Sequence, residues 1–270
     1  MKSKDNNDLI SVENAQEIIF SKFKKLQSIK KKLIDSNGFI LDEEINALFD
    51  LPNKNNSAMD GFAVRHDDLE INKSLRVVGR VGAESITDYI IKKDEAMRIM
   101  TGSGIPKGAD SVVPFENTNN NPHKGNDFPD TVLINEIVNK GDNIRLSGQD
   151  YKFGETVVEN GMLIDPAIIG AIASFGINEV NVIRKPIVSL ISTGNELVMP
   201  GEKLNEGQIY DSNSYAISAA INSSGAECKM HKILSDKKED VDKLYENCSQ
   251  SDLIVTIGGV SKGDFDLIRD

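Results

Sequence analysis

The tightest constraint on the fold lies after Lys185-Pro186, where the chain settles into a regular β/α alternation. Ile187 to Ser192 is a continuous apolar run, Ser212 to Ser223 has helical periodicity, and Lys229 to Leu234 is a second short apolar run. Lys237 to Asn247 is again helical, and Leu253 to Ile257 is a third strand. Near-continuous apolar strands separated by helices predict a parallel, doubly wound sheet covered on both faces. The alternation stops at Asp270, inside what should be the next helix, so a longer chain is expected.

Upstream the pattern differs. Residues 11–35 read as a helix, with Ile19, Phe23, Leu26, Ile29 and Leu33 on one face, Ser11 as cap and Asn37-Gly38 as stop. Its lysines read as a solvated face. From 55 to 144 short strands are broken by Gly, Pro, Asn and Asp; 75–79, 96–100, 111–114 and 131–134 are the expected strands, and 117–129 a polar loop. Pro166 to Phe175 is a short helix closed by Gly176, followed by a strand at 180–183. The expected fold is α/β plus a β-rich region. Residues 1–54 with 145–184 form a discontinuous linker or dimerisation domain, 55–144 an inserted β-rich domain, and 185–270 the α/β domain.

Open parallel sheets bind ligands beyond the carboxyl ends of their strands. Those ends carry Ser192-Thr193-Gly194-Asn195-Glu196, then Ser235-Asp236, then Gly258-Gly259-Val260-Ser261-Lys262-Gly263-Asp264-Phe265-Asp266. Topology therefore gathers Glu196, Asp236 and Asp266 on one rim. Asp236 with Glu239 also fits a capping box, and either role satisfies the pattern. Asp211 before Ser212-Asn213 reads as a helix start. Gly258, Gly259 and Ser261 could cradle an oxyanion through backbone N–H groups. Gathered carboxylates suggest Mg²⁺ as the hard cation that would admit a phosphorylated ligand. Asn56-Ser57-Ala58-Met59-Asp60-Gly61, ahead of Phe62-Ala63-Val64, reads as a hairpin turn; its small residues would equally let a ligand approach while Asp60 is presented.

The charge of −11 argues against nucleic-acid binding, which needs a basic face. No signal peptide opens the chain and no apolar run reaches the ~18 residues of a membrane span. Cys228 and Cys248 read as idle thiols of a cytoplasmic protein, and the three scattered histidines argue against a His metal cage or Ser-His-Asp catalysis.

Six stretches occur in order: NSAMDGFAV (56–64), RIMTGSGIPKGADSVV (98–113), NIRLSGQD (143–150), STGNEL (192–197), GQIYDSN (207–213) and GGVSKGDFD (258–266). Together they resemble the molybdopterin molybdenumtransferases, the MoeA proteins and the E domain of gephyrin. The resemblance implies Mg²⁺-dependent insertion of molybdate into adenylylated molybdopterin, with AMP released. It implies a homodimer whose cleft joins the α/β domain of one protomer to the β-rich region of the other. Asp60, Glu196 and Asp266 would be catalytic, with Glu196 and Asp266 also as Mg²⁺ ligands. Thr101, Arg145, Asp150, Thr193, Asp236, Gly258, Gly259 and Ser261 would bind substrate. Molybdopterin adenylyltransferase and molybdoenzymes are the implied partners. Molybdate and tungstate are not distinguishable from the residues. Two departures stand out: Phe62 where Tyr is common, and Gln149 where Glu is common. Alternative activities are molybdopterin adenylyltransferase, which leaves 55–144 unexplained, and a non-catalytic pterin-nucleotide scaffold.

Overall fold

The computed structural model describes residues 10–82, 87–119, 129–231 and 248–258. It is a sheet-rich mixed α/β chain dividing into two compact units, 44–159 with 174–176, and 1–43 with 160–173 and 177–270.

The first unit is built on a five-stranded sheet. Its order is Ser111–Pro114, Gly61–Val64, Glu95–Ile99, Ser74–Val81, Thr131–Leu133. All pairs are antiparallel except Ser74–Val81 with Glu95–Ile99. Each expected strand forms, shifted by a few residues at its ends. Gly61–Val64 and Ser111–Pro114 are buried at every position because both sheet faces are covered. Phe62, Val64, Leu75 and Phe115 fill one face; Ala63, Met97, Ile99 and Val112 fill the other. Burying these side chains supplies the main stabilisation, about 25 cal/mol per Å² of apolar surface. The Phe62 ring is fully buried, edge-on to Phe115 at 5.4 Å, so the missing phenol hydroxyl leaves no polar gap here.

The hairpin expected at Asp60-Gly61 does not form. Gly61–Val64 pairs with the distant Glu95–Ile99 and Ser111–Pro114, and the preceding strand, Asn56–Ser57, pairs with Ile144–Arg145. Gly61 is not in the left-handed region either. Glycine is needed for closeness: a Cβ there would stand 2.1 Å from the Val113 carbonyl oxygen.

In the second unit, helix Val12–Lys22 is capped by the Ser11 hydroxyl, which accepts the Asn14 N–H at 3.1 Å. The helix expected over 11–35 ends there. Phe23 turns extended, and Ser28–Lys32 forms a strand antiparallel to Glu179–Ile183. Ile29 and Leu33 fit a period of two as well as the helical one, and the partner strand decides. Lys30 pairs with Glu179 at 2.9 Å, Lys25 with Asp42, and Lys31 lies over the Phe39 ring, so these lysines are partnered and not merely solvated. Helix Pro166–Ala173 starts at proline, and the Asp165 carboxylate accepts the Ile168 N–H.

Ile187–Ser192 is the centre of a three-stranded parallel sheet, flanked by Glu227–Met230 and Leu253–Ile257. The flanking strand starts two residues before the expected Lys229, because Pro186 O accepts the Glu227 N–H at the sheet's start. Residues 232–234 and the helix expected at 237–247 lie outside the described residues. Helix Ser212–Ser223 packs on the central and Glu227–Met230 strands. Both cysteines are free, Cys248 buried and Cys228 half-buried.

Candidate functional site

Within the β-rich unit, the opening motif folds as a tight bend. The Ser57 hydroxyl donates to Met59 O at 2.6 Å, and the Asp60 carbonyl accepts the Phe115 N–H. The Asp60 side chain then emerges half-buried at the sheet's end. Its Oδ1 accepts both the Thr101 N–H at 2.7 Å and the Thr101 hydroxyl at 2.8 Å. Two donors from one residue fix the carboxylate's direction and leave Oδ2 without a partner among the described residues, able to accept a ligand proton or cation. Thr101 sits in a turn closed by the Ser103 N–H to Met100 O bond and tied to Ser57 O by the Gly102 N–H, with Gly102 in the left-handed region.

Arg145 and Asp150 form an ion pair, each side chain about two-fifths exposed. Arg145 stands opposite Asn56 in the two-stranded ladder, so Asp60's own bend is tied to the Arg145 segment. Gln149, the second departure, spends its side-chain oxygen on the Leu146 N–H, a turn role that needs no charge. Asn56 Oδ1 is buried and has no hydrogen-bond partner among the described residues, an acceptor left open beside these elements.

In the parallel-sheet unit, Thr193 and Gly258 meet at adjacent strand ends. Thr193 N–H donates to Ile257 O at 3.1 Å, and a Cβ at Gly258 would lie 3.0 Å from Thr193 O. The exposed Glu196 carboxylate folds back over Gly194, where a Cβ would stand 2.7 Å from its Oε1. Thr193, Glu196 and Gly258 are therefore neighbours on the rim. Asp236, Gly259, Ser261 and Asp266 lie outside the described residues.

Asp211 caps helix Ser212–Ser223, its Oδ1 accepting the Ser214 N–H at 3.0 Å. Burial pushes its carboxyl up, but Ser214 and the Ser192 hydroxyl facing it outweigh this and hold it below the usual value. Ser192 Oγ and Asp211 Oδ2 are both buried without a well-formed hydrogen bond. The sequence gives Asp211 only as a helix start; its burial beside a strand-end serine depends on the parallel pairing of Leu197–Val198 with Ile209–Tyr210. Among the described residues no three His, Cys, Asp or Glu side chains converge on a metal position. Of the two expected magnesium ligands, Glu196 is described and Asp266 lies outside the described residues.

The fold defines a class, a sheet-rich mixed α/β protein with candidate residues at the strand ends of a short parallel sheet. The family model for the MoeA N-terminal region (domain I and II) matches residues 10–176, and that for a probable molybdopterin binding domain matches 189–270. The chain belongs to the MoeA family. It is 37% identical over 265 residues to a molybdopterin molybdenumtransferase of Staphylococcus epidermidis, covering 96% of this chain and 62% of that protein. A Staphylococcus aureus protein of the same name is 35% identical over 268 residues, with the same coverage. The fold is similar to that of a molybdopterin biosynthesis MoeA protein from Pyrococcus horikoshii OT3, with TM-score 0.80, 27% identity, and 93% and 66% of the two chains covered. The chain thus spans about 62% of the length of these curated relatives.

Proposed function

We propose that this chain carries residues of a molybdopterin molybdenumtransferase site, which inserts molybdate into adenylylated molybdopterin and releases AMP. The observation that carries the reading is the Asp60 carboxylate, fixed by both Thr101 donors in a chain of this family. In this reading Asp60 orients the reacting groups through its Oδ2, while Arg145 and Asp150 hold substrate. Thr193 and Gly258, with Asp236, Gly259 and Ser261, hold the nucleotide side, and Glu196 and Asp266 complete the acidic rim. Magnesium would neutralise phosphate charge there. The domain division proposed above, 1–54 with 145–184, then 55–144, then 185–270, belongs to the same reading.

The active form we propose is a homodimer. Helix Val12–Lys22 supports this, since none of its residues is buried and Phe20 is 72% exposed. A large exposed apolar face is the mark of an interaction surface. Among the described residues no helix is long and apolar enough to cross a membrane.

The test is AMP release from adenylylated molybdopterin, with and without molybdate, scored also by reconstitution of an apo-molybdoenzyme. Asp60→Ala and Glu196→Ala should each lower the molybdate-dependent rate by about 10²-fold or more, the scale for a positioned catalytic group. Wild-type rates in both variants overturn the assignment. Accumulation of adenylylated pterin from Mg-ATP and free molybdopterin would instead favour an adenylyltransferase.

A further inference from the structure

Six arginines fall among the described residues. Four close ion pairs: Arg65 with Asp68, Arg76 with Glu95, Arg145 with Asp150, and Arg184 with Asp252. Arg80 and Arg98 close none among those residues. In a chain with 42 acidic against 31 basic side chains, an arginine without an ion pair among the described residues is the exception, and these two sit on neighbouring strands.

Their adjacency is built by the fold. Arg80 and Arg98 are register partners on the one parallel pair of the five-stranded sheet, Ser74–Val81 with Glu95–Ile99. The register slips between Val77 and Arg80, an irregularity that takes up one residue around Gly79. Without the slip, the period of two would put Arg80 on the same face as Val78. With it, Val81 joins Ile99 in one core face, and Arg80 turns to the other face beside Arg98.

Arg98 is also preorganised. Its guanidinium lies 5.1 Å from the centroid of Phe115, which leaves the planar N–H fork unspent while the stem is held. Arg98 is half-buried and Arg80 exposed, so the pair opens to solvent on one side. Three residues beyond Arg98 is Thr101, which holds Asp60, and the Asp60 carbonyl accepts the N–H of the same Phe115. The Arg98 guanidinium and the fixed carboxylate therefore share one end of one sheet, with Arg80 on the neighbouring strand.

We propose that Arg98 and Arg80 form a subsite for a tetrahedral oxyanion beside the Asp60–Thr101 pair. The chemistry fits either a phosphate of the pterin nucleotide or the free metal oxyanion, because both present oxygens spaced for an arginine fork. This deepens the function proposed above, since it supplies the cationic recognition that an acidic protein needs for an anionic substrate. The inference rests on that reading for the ligand's identity and on the sheet register for the site.

The test is titration calorimetry of the 270-residue chain with sodium molybdate alone and with AMP alone, at low salt. Arg98→Gln should weaken the anion that occupies the site by about tenfold or more, as expected for losing a charged bidentate donor. Arg98→Lys, which keeps a cation over Phe115, should lose less, and Arg80→Gln a few-fold. Arg76→Gln, whose native side chain is already paired with Glu95, should bind as wild type. A defect confined to molybdate identifies the metal oxyanion; one confined to AMP identifies the phosphate. Wild-type affinity for both anions in Arg98→Gln and Arg80→Gln, or no binding of either anion to the wild type, overturns the proposal. Arg80 is exposed, so its variant keeps the test open if Arg98→Gln fails to fold. Weakened anion binding in a protein that never releases AMP would sink the transferase reading and leave the subsite standing. AMP release with unaltered anion binding in the variants would do the reverse.

Discussion

The five-stranded sheet and the parallel sheet hold their candidate residues by different means. In the former, Asp60 is fixed by hydrogen bonds to Thr101, 41 residues away, and by a backbone bond to Phe115 between fully buried strands. In the latter, only the central strand is well buried; Leu253 is 42% exposed and no residue of Glu227–Met230 is buried. Thr193 is tied to the neighbouring strand through Ile257 O, whereas the Glu196 carboxylate stands on a loop beyond that sheet, folded over Gly194 in the left-handed region. A carboxylate held by a ladder is placed by the whole unit's stability. One held by a loop is placed locally, and can shift without cost to the core.

The largest effect that would break this contrast is at Gly61. A methyl group placed 2.1 Å from the Val113 carbonyl oxygen must force Gly61–Val64 and the edge strand Ser111–Pro114 apart. Gly61→Ala should destabilise the protein by more than about 3 kcal/mol, at the high end for a single substitution. Chemical denaturation followed by circular dichroism measures this. A loss under about 1 kcal/mol would mean that the sheet yields there, and that Asp60 is not ladder-held.

The parallel sheet has its own anchor, and it is electrostatic. The Arg184 guanidinium holds the Asp252 carboxyl down to about 2, against burial and with help from the Ile187 N–H. The folded value is depressed below the unfolded one, so the stabilisation is present above about pH 4 and is lost as the pH falls through about 2. With Arg184 and Asp252 side chains only 29% and 21% exposed, the contribution is at most about 2 kcal/mol. Asp252→Asn should lower the urea midpoint at pH 7 and flatten its decline between pH 4 and 2. An unchanged acid limb would show that the ion pair does not hold the sheet's start.

Much of this was legible in the residues because burial on both faces leaves continuous apolar runs. Ser111–Pro114 and Ile187–Ser192 read directly for that reason. The 28–32 segment did not, since Ile29 and Leu33 satisfy two periods and only the partner strand at 179–183 separates them. Asp60 was legible as a candidate from its small neighbours, but the cause of Gly61 was not: Asp-Gly looks like a turn, and the clash with Val113 is a contact 52 residues away along the chain. Arg98 was hidden within its motif. Its signal was a charge breaking the apolar strand Glu95–Ile99, and only the register slip shows that Arg80 joins it.

A smaller change sharpens the comparison from the chemical side. Thr101→Val removes the hydroxyl that bonds Asp60 Oδ1 at 2.8 Å and keeps both the side chain's shape and the backbone N–H bond at 2.7 Å. Thr101 is exposed, so the lost hydrogen bond should cost stability about 1 kcal/mol or less. If Asp60 acts by direction, the rate of AMP release should nonetheless fall by about tenfold, less than for Asp60→Ala, because one donor still aims the carboxylate. Serine, which restores the hydroxyl, should recover most of that loss. Equal rates for Val and Thr would show that the backbone alone holds Asp60, making the β-rich site wholly a property of the ladder.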